Sequence, residues 1–314
     1  MYCIETESLR LRLEVAPVGC LLAHEKTLPH QAKKLILEFR NWTKLQNPII
    51  VDENNIVLDG NHRAYVFKEL KFKYIPVCKI DYFHETTKLR YWFRLLGKIE
   101  SVGIIKQIVE GIKGTFRQVT DKETLRELLE CNALSCGIQK DNYFAVINFH
   151  EDMADDAVSA YDLVERIQEE LIERGIELKY IPCQFAQEGD FCDELSDDNL
   201  IIWTPQITKE MVVDAAKKKR PFAPKTTRHL IPARPLNVNV PTHWFKEDIS
   251  LEEINKKFLD FLNKKKLKRF GPGQVIDGRY YEEELFVFFD AEQSTSEPVE
   301  APRSPGKAGA PGGG

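Results

Sequence analysis

Five consecutive residues, Asp59-Gly60-Asn61-His62-Arg63, combine what an anion site needs. They fall where the apolar run Ile56-Val57-Leu58 gives way to a helical pattern. A helix start exposes unpaired backbone N–H groups and a partial positive charge. Gly60 permits a tight turn and close approach of an anion. Asn61 can cap the helix. His62 and Arg63 add side-chain donors, and a guanidinium suits bidentate phosphate contact. Asp59 would repel phosphate unless a metal ion lay between them. Mg²⁺ commonly takes one or two carboxylates plus substrate phosphates. The same residues also read as a plain turn with Asn61 capping a helix, and physical grounds alone weigh the two readings evenly.

A second stretch, Phe222-Ala223-Pro224-Lys225-Thr226-Thr227-Arg228-His229, crowds a lysine, two hydroxyls, an arginine and a histidine into one loop. Such a loop suits a substrate carboxylate or a transferring phosphoryl group. The preceding Lys217 to Arg220 simply complement a helix dipole. His24-Glu25, on its residues alone, reads as a solvated surface pair, the usual fate of a glutamate. Other signals read more plainly. Asp277-Gly278-Arg279 echoes the first motif without its histidine. Lys264 to Arg269 reads as a solvated helix end. His150-Glu151 with Asp155-Asp156 marks a loop and helix start, and His84-Glu85 a surface pair.

These residues need a frame. Leu9, Leu11, Leu13 and Val15 alternate with charged residues, the period of a half-buried strand. Ala32 to Trp42 places Leu35, Ile36, Phe39 and Trp42 on one helical face. Pro48 to Val51 and Ile56 to Leu58 read as strands around an Asp52-to-Asn55 turn, followed by a helix from Asn61 to Leu70. Tyr74 to Ile80 reads as a strand whose Pro76 suggests an edge or a bulge. Farther on, helices are expected over Ile104 to Ile112, Ala157 to Arg174 and Thr208 to Lys219. Strands are expected at Tyr143 to Ile147, Ile176 to Ile181 and Leu200 to Trp203. Ser250 and Glu253 form a capping box ahead of an amphipathic helix carrying Leu251, Ile254, Phe258, Phe261 and Leu262. Leu285 to Phe289 reads as a closing strand. From Ala291 the chain is rich in Ser, Pro, Glu and Gly and reads as a disordered tail.

The chain has 314 residues, 43% hydrophobic and 30% charged, with a formal net charge of -5. That is enough for two domains, expected at 1–98 and 99–290 with the tail at 291–314. Neither a basic surplus nor a basic stripe argues for a nucleic acid partner. Seven cysteines at irregular spacing do not form a disulfide framework, and no histidine pair accompanies Cys131 and Cys136 for structural zinc. No apolar stretch suits a signal peptide or a membrane span. The expectation is a reduced, soluble, cytoplasmic protein.

The segment Pro48 to Asp81 resembles the ParB/sulfiredoxin-type domain: a strand, a turn, a second strand ending in Asp-Gly-x-His-Arg, a helix, and a strand with Pro-Val. Sulfiredoxins need a cysteine in this turn, and Asn61 stands in its place. ParB-type CTP-binding proteins carry Gly-Glu-Arg-Arg and then a helix-turn-helix, and neither is evident. Free serine kinases carry Asp-Gly-His-His-Arg, from which this chain departs only at Asn61. They also have a His-Glu pair like His24-Glu25 and a run like Pro224-Lys225-Thr226-Thr227-Arg228-His229. Pro29-His30-Gln31 offers a rival alignment of the His-Glu pair in which glutamine replaces the base.

The resemblance implies an α+β fold, with a ParB/sulfiredoxin-like N-terminal domain and a second α/β domain. It implies phosphoryl transfer from ADP or ATP, with Mg²⁺, to the hydroxyl of free L-serine. Glu25 and His62 are then the catalytic candidates, with Glu25 the base. Asp59, Gly60, Asn61, His62 and Arg63 would bind the nucleotide phosphates, Asp59 also holding the metal. Trp92, Thr226, Thr227, Arg228 and His229 would bind the substrate, although Trp92 reads equally as an inter-domain aromatic. The alternative is a ParB-like nucleotide-binding regulator without kinase activity. The sequence leaves the donor nucleotide, the hydroxyl amino acid and the oligomeric state open.

Overall fold

The computed structural model describes residues 1–6, 9–182 and 199–290. The expected tail at 291–314 and Cys183 and Cys192 lie outside the described residues. The five described cysteines are free.

The chain is a mixed α/β protein with two main sheets. The first has six strands in the order Tyr2–Thr6, Leu9–Pro17, Tyr74–Lys79, Ile49–Val51, Ile56–Asp59 and Leu22–Ala23. Alternation sets its register as expected: Leu11, Leu13 and Val15 are buried. Helices α1 (Pro29–Phe39) and α2 (Asn61–Glu69) pack together beside it. Helix α1 starts three residues earlier than expected. Pro29 takes its first turn, where a missing N–H costs nothing. It ends at Phe39, so Trp42 lies beyond it, tilted on the Phe39 ring with centroids 4.7 Å apart.

Pro76 sits in an interior strand, not at an edge. It lies opposite Val15 on one side, and on the other side the parallel pairing begins only at Ile49–Val77, one residue later. The backbone of Val15 turns away from Pro76. Its N–H donates to Asn255 Oδ1 at 2.9 Å, and its carbonyl accepts from Asn255 Nδ2 at 2.9 Å. The proline therefore interrupts no ladder bond.

The second sheet has the order Glu177–Pro182, Lys88–Gly97, Leu200–Trp203, Cys136–Lys140, Tyr143–Phe149 and Gly114–Val119, and Thr227–Leu230 also pairs with Lys88–Gly97. Helices α3 (Gly103–Gly111), α4 (Lys122–Cys131) and α5 (Ala157–Glu173) accompany it, whereas α6 (Lys209–Lys217) buries Val212, Ala215 and Ala216 in the cluster of the first sheet. A third sheet aligns Ala233–Leu236, Glu284–Asp290 and Lys265–Phe270. The basic run at 264–269, read as a helix end, is therefore largely a strand. The capping box of Ser250 and Glu253 forms as expected and starts α7 (Leu251–Asn263).

The expected cut at residue 98 follows neither sheet nor core. Lys88–Gly97 belongs to the second sheet. Phe222, Ile254, Phe258, Leu262, Phe286 and Phe288 share one buried cluster with Leu11, Ile49 and Val57 of the first sheet. The C-terminal quarter thus completes the N-terminal unit.

Candidate active site

The first motif forms a strand-to-helix junction. Asp59 ends its strand, Gly60 takes φ 98°, and α2 begins at Asn61. A Cβ on Gly60 would lie 2.6 Å from Ile49 Cγ2, so both conformation and space require glycine. Asn61 does not cap the helix. Gly60 holds the cap position without a side-chain bond, and Asn61 Oδ1 is buried with no hydrogen-bond partner.

Arg63 and Asp59 serve each other. Arg63 donates from NH2 to Asp59 Oδ2 at 3.1 Å and from NH1 to the carbonyls of Asn47 (2.6 Å) and Pro48 (3.2 Å). Arg234, from the third sheet, donates to the same Asp59 Oδ2 at 2.8 Å and also pairs with Glu283. Burial alone would raise the Asp59 carboxyl pKa, but the charges of Arg234 and Arg63 outweigh it and hold it far below the usual carboxylate range. Two guanidiniums thus neutralise an aspartate at this junction through one of its oxygens, Oδ2. No hydrogen bond reaches Asp59 Oδ1 among the described residues.

His62 accepts the Leu28 N–H at Nε2, 3.3 Å away. Burial, and then the charge of Lys225, lower its pKa. A neutral ring accepting at Nε2 keeps its proton on Nδ1.

The second motif closes over Glu25. Segment 24–26 is stitched to Phe222 by Phe222 N–H to the His24 carbonyl and Lys26 N–H to the Phe222 carbonyl, both 2.8 Å. Lys225 takes φ 60°, which turns three successive backbone N–H groups toward one point. Those of Lys225 (3.0 Å, to Oε1), Thr226 (3.1 Å) and Thr227 (2.9 Å, both to Oε2) all donate to Glu25. The Thr227 hydroxyl adds a fourth bond to Glu25, the third to Oε2, at 2.9 Å, and lies 2.7 Å from His24 Nε2. Oε2 is thus saturated, whereas Oε1 carries a single bond.

The pairing of Thr227 with Tyr91 brings this loop against Trp92. Trp92 Nε1 donates to the Thr227 carbonyl at 2.9 Å, and Lys225 Nζ lies 4.5 Å from its ring centroid. His229 meets Tyr82 OH at 2.8 Å through Nε2 and packs edge-on to His24 at 5.1 Å. Burial pushes the pKa values of both histidines down, that of His229 strongly, and for His229 the His24 charge adds to the effect. Arg228 pairs with Glu282 at 3.3 Å.

A cavity of about 540 Å³ joins these parts. Glu25, Asp59, Gly60, Asn61, His62, Arg63, Trp92, Thr227, Arg228 and His229 all line it, together with Arg279, Tyr280, Glu282 and Glu283. Thr226, expected among the substrate binders, does not: its side chain is buried and donates to the Ala223 carbonyl at 2.8 Å. The rival Pro29-His30-Gln31 forms the exposed first turn of α1 and lines no part of the cavity. Reasoning from sequence missed Arg234, Tyr82 and Glu283. The one signal for Arg234 was a lone arginine in the apolar stretch Ala233–Leu236, a stretch the structure buries.

No protein-family model matches the chain. Among curated proteins it is 28% identical over 238 residues to an ATP-dependent L-serine kinase of Staphylothermus marinus, covering 71% of this chain and 87% of the relative. It is 25% identical over 200 residues to the ADP-dependent L-serine kinase SerK of Thermococcus kodakarensis, covering 63% and 73%. A free serine kinase solved in complex with AMP superposes with a TM-score of 0.59 at 18% identity, over 74% of this chain and 93% of that one. SbnI of Staphylococcus aureus superposes with a TM-score of 0.61 at 19% identity, over 80% and 95%. The fold is that of the free serine kinases.

Proposed function

We propose that this relative of the L-serine kinases transfers the terminal phosphoryl group of ADP or ATP to the hydroxyl of free L-serine, giving O-phospho-L-serine. One observation carries the reading: a glutamate fixed by four donors faces the same cavity as a glycine-led helix start.

The nucleotide phosphates lie on the N–H groups at the start of α2, which favour negative charge. Arg63 and Arg234 hold that junction together through Asp59. Serine enters from the loop side, with its hydroxyl toward Glu25 Oε1, the oxygen with capacity to spare. Glu25 accepts the hydroxyl proton as the serine oxygen attacks the terminal phosphorus. The bond from phosphorus to the bridging oxygen breaks, and the nucleotide leaves one phosphate shorter. The loop's backbone donors are spent on Glu25, so the serine carboxylate falls to cationic side chains, Lys225 and Arg228.

Asp59 offers one free carboxylate oxygen, Oδ1, and a single carboxylate with phosphates and water is an ordinary magnesium set. Mg²⁺ accompanying the nucleotide would be held there and would neutralise charge on the phosphates.

The test is incubation with L-serine, Mg²⁺ and either ADP or ATP, with phosphoserine detected by mass spectrometry. Absence of product with both nucleotides refutes the reading.

A further inference from the structure

We propose that Arg279, carried on a C-terminal hairpin, clamps the phosphate chain of the nucleotide; the proposal rests on the kinase reading above. Asp277-Gly278-Arg279, which in sequence merely echoed the first motif, has its own structural logic. Gln274–Ile276 and Arg279–Tyr281 pair as an antiparallel hairpin. Its two turn residues, Asp277 and Gly278, both take positive φ, 51° and 76°, as a two-residue type I′ turn requires.

The hairpin is fastened at both ends. Gln46 Nε2 donates to Asp277 Oδ2 at 3.1 Å, and the Gly273 N–H donates to the Tyr281 carbonyl at 2.9 Å. Arg279 and Tyr281 are two residues apart and share a face. Tyr281 is buried, and the exposed Arg279 lies over it with its guanidinium 4.8 Å from the ring centroid.

There Arg279 borders both the 540 Å³ cavity and an adjoining one of about 230 Å³; Asp59, Arg63 and Arg234 border both as well. Three guanidiniums, Arg63, Arg234 and Arg279, thus meet two carboxylates, Asp59 and Glu283. The first two arginines hold both carboxylates. Arg279 pairs with no carboxylate among the described residues. Its charge is close enough to act on Asp59 and Arg63. The cluster therefore carries one unit of positive charge in excess, on the one guanidinium that no carboxylate holds. A di- or triphosphate crossing from one cavity toward the other would meet it.

The test compares wild type, Arg279→Ala and Arg279→Lys by calorimetric titration with ADP, ATP and adenosine in Mg²⁺. The expected result for Arg279→Ala is at least tenfold weaker binding of ADP and ATP, adenosine binding within twofold of wild type, and an unchanged melting temperature. Arg279→Lys should recover part of the loss. Unaltered ADP and ATP affinity overturns the proposal. So does an equal loss for adenosine, which would make the hairpin a structural support only. Wild type that binds ADP but yields no phosphoserine would sink the kinase reading, while the clamp would still stand or fall on these titrations.

Discussion

Glu25 has two tasks in this geometry, and they can be separated. In the proposed reaction its Oε1 would face substrate, and the whole carboxylate fills a nest of three N–H groups that would otherwise point at one another. Glu25→Gln removes the base and turns an amide NH₂ toward backbone donors. We expect turnover to fall by about 10² to 10⁴, and the loop also to loosen, read as faster hydrogen exchange at Thr226 and Thr227. Lost turnover with unchanged exchange would mean that the nest contributes nothing to loop order. Asp59 answers a different question. Asp59→Asn leaves Arg63 and Arg234 facing a neutral amide and should cost about 2 kcal/mol at pH 7, a figure reduced for the partial exposure of Asp59. The folded-state pKa of Asp59 is depressed, so its contribution is complete above the unfolded value of 3.8 and shrinks as pH falls below it. Urea unfolding of wild type and variant should therefore differ at pH 7 and converge toward pH 3. A gap that stays constant over that range would show that the arginine pairing is not the source.

At the scale of elements, the proposed function requires the strand-turn-helix at 56–69 to let a phosphate approach. Gly60→Ala places a methyl against Ile49, whose side chain is fully buried and cannot yield, and in a left-handed conformation. Strain and overpacking together should cost about 3 kcal/mol, and nucleotide binding should fall with it. Retained ADP affinity in a folded Gly60→Ala protein would place the phosphates elsewhere. This unit was legible because its strands are short apolar runs and its turns carry Asp, Asn and Gly, signals that act over a few residues. Pro76 misled because its tolerance depends on where a neighbouring strand begins and on Asn255, nearly 180 residues away. Lys265–Phe270 was hidden for a similar reason. Its lysines and arginine look solvated, yet Lys265 pairs with Asp290 and Arg269 with Glu284 across the sheet. The site followed the same rule. Residues inside contiguous motifs could be found, whereas Arg234 and Glu283 reach the cavity, and Tyr82 reaches His229 at its wall, through tertiary packing that no local pattern announces.

At the scale of the whole molecule, the two sheets are coupled through helix α5. Helix α5 supplies Ala157, Val158 and Tyr161 to the cluster under the first sheet, and Ala160, Leu163 and Ile167 to the cluster under the second. Helix α7 lies far along the chain but buries Ile254, Phe258 and Leu262 against the first sheet, and Asn255 occupies the backbone of Val15. A disturbance at Asn255 should therefore be felt beyond the strand it touches. Asn255→Leu leaves a buried N–H and a buried carbonyl unpaired, at a cost of about 2 kcal/mol or more. If the clusters unfold as one unit, denaturation should remain a single transition with a lower midpoint. Hydrogen exchange should then accelerate by a similar factor in Leu9–Pro17 and in the distant strand Cys136–Lys140. Acceleration confined to the first sheet would instead mean two units that open independently. The cavity walled by Asp59 on one side and by Trp92 and Thr227 on the other would then be free to open between them.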